Sequence, residues 1–136
     1  FMFVLFLNVR FDLRNFLYNV HLVALLTYDV KLYLDIFAES LDIFPEDTLY
    51  DLLGISAHPK LKKYCLKSST PKLVKRAKSL PTVPKLLELA RNKARKHIVK
   101  KYKITSSTQF YTIVRNLNLG WIHERIITFQ RHVYFD

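Results

Sequence analysis

Glycine is almost missing from this 136-residue chain, with Gly54 and Gly120 the only two. Without a glycine cluster there is no phosphate-cradling loop and no dinucleotide fingerprint. A turn-rich β protein is disfavoured on the same ground, so helices should dominate. Cysteine is scarcer still: Cys65 stands alone and cannot close an internal disulfide, which fits a reducing compartment. The histidines at 21, 58, 97, 123 and 132 form no i, i+4 pair and have no cysteine partner, so neither a metal site nor a cofactor is expected.

Long apolar runs are lacking too. The opening stretch 1–7 gives way to Asn8 and Arg10, and the stretch 16–26 contains Asn19 and His21. Neither reaches the roughly 20 apolar residues that a bilayer span needs. No small-residue cleavage pattern is evident, and the chain begins Phe1-Met2-Phe3 without an initiator. It therefore reads as a piece of a longer, soluble, intracellular protein without a membrane partner, cytoplasmic with the nucleus as second compartment. Asp47 and Asp51 can share a helix face, but capping and solubility account for them. No nucleophile has a nearby base, so no catalytic residues are assigned and no enzyme is expected.

What the chain does have is apolar content and a lopsided charge. Half of its residues are hydrophobic, enough to build a core. The net charge of +11 hides an acidic first part, where residues 1–57 carry three Lys/Arg against eight Asp/Glu. Residues 60–103 carry sixteen Lys/Arg and one acid, Glu88. Such a block marks an interaction surface or a solvated face.

Apolar spacing predicts a helix through Phe11, Phe16, Val20, Val23 and Leu26, and another through Val30, Leu34, Phe37 and Leu41. Phe44-Pro45-Glu46-Asp47 predicts a helix start, since proline tolerates the first turn and acids suit the positive end of the dipole. That helix should pass Leu49 and Leu52 and stop at Gly54. His58-Pro59 and Thr70-Pro71 predict two further short helices, with Thr70 as an N-cap. Residues 1–78 are thus expected to be a helical region comparable with the degenerate end of an ankyrin-like repeat array. The Thr-Pro-Leu-His turn of such repeats and a clean internal period are both missing. Ser79-Leu80-Pro81-Thr82-Val83-Pro84 cannot sit inside a helix and marks a boundary, with residues 79–136 as a second unit.

The first helix beyond the boundary places Leu86, Leu89, Ala90, Ala94 and Ile98 on one stripe, with Arg91, Lys93, Arg95 and Lys96 over much of the rest. By spacing alone, Leu89 and Ile98 fit the inner face of a small bundle. Two small alanines let another backbone approach, and Leu86 projects as a knob, as in a helix offered to a groove. Ser106 and Gln109 form a capping box ahead of Phe110, Ile113, Val114 and Leu117, a core-facing set. Asn118-Leu119-Gly120 breaks that helix, and a third is expected from Trp121 to about 130 with Ile122, Ile126 and Phe129 on one face.

Leu86 with Ala90 four residues on, then Arg91, Ala94 and Arg95, resembles the Elongin-C-binding box that opens a SOCS box. The resemblance continues through Phe110-Tyr111 and ends in Leu117-Asn118-Leu119-Gly120, Ile122 and Ile126, similar to the family's cullin-facing half. It spans about residues 81–134 and is closest to the form at the C-terminus of ankyrin-repeat and SOCS-box proteins. It implies an all-α protein with short helices first and a three-helix SOCS-box-like bundle last. It also implies a ubiquitin-ligase adaptor that binds Elongin B/C through Leu86, Leu89, Ala90 and Ala94. Leu117, Leu119, Ile122 and Ile126 would face a cullin scaffold, and an unassigned protein would be the substrate. Ala90 stands where cysteine is commonest, Ala94 is smaller than the usual aliphatic residue, and both prolines of the cullin segment are missing. The rival expectation is a basic helical protein that binds nucleic acid through residues 60–103. Only Tyr64 and Tyr102 offer aromatic stacking there, and no recognised motif accompanies them.

Overall fold

The computed structural model describes residues 41–42 and 44–135. Among them are six helices and no strand: α1 (Glu46–Ile55), α2 (Pro59–Leu66), α3 (Pro71–Lys78), α4 (Leu86–Lys101), α5 (Ser107–Asn116) and α6 (Trp121–Ile127). The all-α class expected from the poverty of glycine is the class observed. The helices expected through Phe11 and Val30 lie outside the described residues, apart from Leu41.

Proline and local capping set where the helices begin. Pro45 precedes α1, with Glu46 and Asp47 in its first turn. The His58 ring caps α2, its Nδ1 accepting from the Lys60 amide at 3.2 Å, and Pro59 takes the first helical position. Several expectations about helix ends need correcting. Thr70 occupies the N-cap position of α3 but makes no side-chain cap; its hydroxyl donates instead to the Glu46 carboxylate. The capping box of α5 closes on one side only as drawn: Ser106 Oγ accepts from the Gln109 amide at 3.2 Å, whereas Gln109 Oε1 reaches back to the Thr105 amide at 3.1 Å. And α6 ends at Ile127, so that Phe129, at φ 62, lies beyond the helix and turns inward while Ile122 stays exposed.

Helices α1, α2 and α3 pack on one another around Leu49, Leu52, Leu53, Leu61, Leu73 and Ala77. Cys65 is sealed in this core, and burial pushes its thiol up to about 12, which makes it an inert packing group. Helix α6 packs on both α4 and α5, around a smaller core of Ile98, Ile104, Phe110 and Val114. The larger core crosses the double-proline link, because Phe129, Val133 and Tyr134 belong to it.

Gly54 shows how the two ends of the chain meet. It does not stop α1, which runs on to Ile55. Its carbonyl accepts from the amides of Val133 and Tyr134, at 3.0 and 3.1 Å. A Cβ at this position would strike the His132 ring and come within 2.9 Å of Arg76 Nη2. Residue 54 is therefore glycine for close approach. The Arg76 guanidinium lies between the Tyr50 and Phe135 rings, 3.8 and 4.2 Å from their centroids. Its Nε donates to the Tyr50 carbonyl at 3.0 Å and its Nη2 to His132 Nδ1 at 3.3 Å.

His132 should make this clasp sensitive to acid. Burial lowers its pKa from the ordinary 6.5, Asp51 pulls the other way, and Arg76 adds to the lowering. The folded chain thus holds the neutral ring, whose Nδ1 can accept from Arg76 only while unprotonated. A depressed pKa means that the unfolded chain binds the proton first, so stability is lost as pH falls below about 6.5. The slope is limited to one proton, at most about 1.4 kcal/mol per pH unit. Hydrogen exchange between neutral and mildly acidic pH should show the Val133 and Tyr134 amides losing protection ahead of Leu52 and Leu53. His132→Gln, which keeps an acceptor and cannot titrate, should remove the difference. Equal protection changes in all four amides would refute it.

Candidate docking surface

Helix α4 is inside out. Its inward face carries Glu88, Arg91, Arg95 and Ile98, at helical spacing, and three of those four are charged. Such a face is tolerable only if every charge finds partners. Glu88 Oε2 accepts from the Ser56 hydroxyl at 2.7 Å, and Oε1 accepts from the Ala57 amide at 3.0 Å and the Tyr134 hydroxyl at 2.5 Å. The Tyr134 oxygen in turn accepts from the Lys85 amide at 2.9 Å, while Lys85 Nζ donates to the Val133 carbonyl at 3.1 Å. Burial, reinforced by the hydrogen bond to Glu88, raises the Tyr134 phenol to about 12, so it remains a neutral donor. One carboxylate thereby ties together the α1–α2 connection, the start of α4 and the end of the chain.

The two arginines complete the seam. Arg91 donates from Nε and Nη2 to Asn92 Oδ1 at 3.1 and 3.0 Å, approaches Glu88 Oε2 at 3.9 Å, and stacks 4.7 Å over the Phe129 ring. Burial draws its pKa down to about 10, against Glu88 and Tyr134, which leaves it charged at neutral pH. Arg95 is held between Phe110 and Phe129, at 4.7 and 3.9 Å, and its Nη1 donates to the Ile127 carbonyl in the last turn of α6 at 2.5 Å. A cation there also suits the negative end of a helix.

With polar side chains turned inward, the apolar start of α4 is left outside. Leu86 is 80 % exposed, Leu89 50 % and Val83, in the proline link, 72 %. Ala90 and Leu87 are also exposed, and Ala94 is half-buried. Leu89 does not take the inner-face position that spacing alone offered it; Ile98 does. Of the residues expected at a cullin, Leu119 and Ile122 are exposed. Leu117 is half-buried against the Phe110 core, and Ile126 packs against the larger one. Gly120, at φ 88, adopts a conformation that favours glycine and starts α6, with Trp121 65 % exposed and the Arg125 guanidinium 6.0 Å from its ring.

Sequence reasoning missed Val83, Leu87 and the inward role of Glu88. The spacing 88, 91, 95, 98 is itself a helix face, but a charged one, which a search for apolar stripes passes over. Lys93, Lys96, His97 and Lys100 lie on the outward side of α4 and, with Asn92, line a shallow depression. No helix among the described residues is long and apolar enough to cross a membrane. No known protein family, curated protein or solved structure matches the chain. The fold and site define an all-α protein whose longest described helix turns apolar side chains outward at one end.

Proposed function

We propose that this chain is an adaptor: a substrate-receptor subunit of a cullin-RING ubiquitin ligase that docks onto Elongin B/C through α4. The observation that carries the reading is the exposed apolar turn at Leu86, Leu89 and Ala90, on a helix anchored from behind by Glu88, Arg91 and Arg95. Exposed apolar surface of this kind is normally covered by a partner. Leu86 would fill a hydrophobic pocket with Ala90 close behind, the arrangement that the resemblance to a SOCS box implies. Leu119, Trp121 and Ile122 offer further apolar contact for the cullin scaffold. The reading is non-catalytic, with the bound ligase supplying the chemistry and the rest of the chain presenting a protein for ubiquitination, in the cytoplasm or the nucleus. Coexpression with Elongin B/C tests it: a complex that survives moderate salt is expected, and failure of the folded chain to retain Elongin B/C would sink the reading.

A further inference from the structure

The face of α4 that bears Leu86, Leu89 and Ala90 does not end with them. At the same helical spacing it continues through Lys93, Lys96, His97 and Lys100, all exposed. From Leu86 to Lys100 it runs for about 21 Å, at the α-helical rise. No acid interrupts it, because Glu88, the one carboxylate of α4, is turned inward onto Ser56 and Ala57. One rigid helix thus presents apolar turns at its start and cationic turns further on, along a single line. A protein that covers the first must either meet the second or stop short of them.

We infer that the protein surface covering Leu86 is bordered by acidic side chains, and that Lys93, Lys96 and Lys100 steer that protein onto α4. This rests on the adaptor reading and adds the chemistry of the partner's rim. Exposed ammonium groups at the edge of an interface act chiefly on the rate of encounter, since water and salt screen them once the complex has formed. The continuity with an apolar face favours a protein over a nucleic acid. A phosphate backbone has no use for the leucines, α4 contains no Phe, Tyr or Trp on which bases could stack, and the lysines of α2 and α3 would serve a polyanion equally well.

The test is the association rate of the full chain with purified Elongin B/C, followed by stopped flow at low and high salt. The variant K93E/K96E/K100E should associate about tenfold more slowly at low salt, lose most of the salt dependence, and dissociate within about twofold of the wild-type rate. Because all three side chains are exposed, its thermal unfolding should match wild type. K60E/K63E/K67E makes the same change of net charge on α2 and the residue that follows it, and should leave the association rate within about threefold. Equal slowing by both variants would make the effect one of net charge and overturn the inference, as would an unchanged rate in the α4 variant. Loss of duplex nucleic-acid binding by the α4 variant, with Elongin B/C association intact, would assign the stripe to nucleic acid and overturn it too. If Leu86→Asp abolishes binding while the lysines are silent, only this inference falls. If wild type does not bind Elongin B/C, it falls together with the adaptor reading.

Discussion

Leu86→Asp is expected to weaken binding of Elongin B/C by about 100-fold or more while leaving the stability of the chain unchanged. Burying a leucine side chain fully is worth about 1.5–3 kcal/mol, and a carboxylate forced into the same apolar pocket adds the cost of its desolvation. Leu86→Ala, which loses the burial term alone, should cost about tenfold. Stability should not change, because a side chain 80 % exposed contributes little to its own core. Calorimetric titration, alongside thermal unfolding of the same preparations, separates the two effects. Wild-type affinity in the aspartate variant would remove Leu86 from the interface. A markedly lowered Tm would instead mean that Leu86 packs within its own chain.

The opposite pattern is expected at Glu88. Glu88→Ala should destabilise the fold by about 3–5 kcal/mol, because it strands the Ser56 hydroxyl, the Ala57 amide and the Tyr134 hydroxyl and leaves Arg91 without its carboxylate. Glu88→Gln should cost about 1–3 kcal/mol. The amide keeps the shape, but its NH2 would have to face one of the donors, and the Ala57 N–H cannot turn away. Chemical denaturation measures both. A loss below about 1 kcal/mol in the alanine variant would mean that the seam is held by its aromatic stacking and not by the carboxylate. Where enough folded protein remains, Elongin B/C should still bind it, since Glu88 faces away from the proposed partner.

The contrast between these neighbouring residues shows where local pattern stops being informative. Leu86, Leu89 and Ala90 form one helical stripe, and Glu88, Arg91 and Arg95 form another on the same helix. Apolar spacing alone offers Leu89, of the first stripe, an inner-face position. The second wins because its charges find partners far away in sequence: Ser56, Tyr134, Phe129 and the carbonyl of Ile127. Gly54 is a similar case. Its position near the end of an apolar helix suggested a stop, whereas its use is to admit His132 and the amides of Val133 and Tyr134.

The sequence alone determined what depends on neighbours within a turn or two. Scarce glycine meant helices, Pro45, Pro59 and Pro71 placed their starts, Pro81 and Pro84 kept the link open, and Phe110 with Val114 made the inner side of α5. Tertiary structure alone decided that Glu88, Arg91 and Arg95 turn inward on α4 and where the end of the chain returns. The reason is physical: a buried carboxylate or guanidinium is tolerated only where distant donors, acceptors and rings converge on it, and that convergence has no local signature.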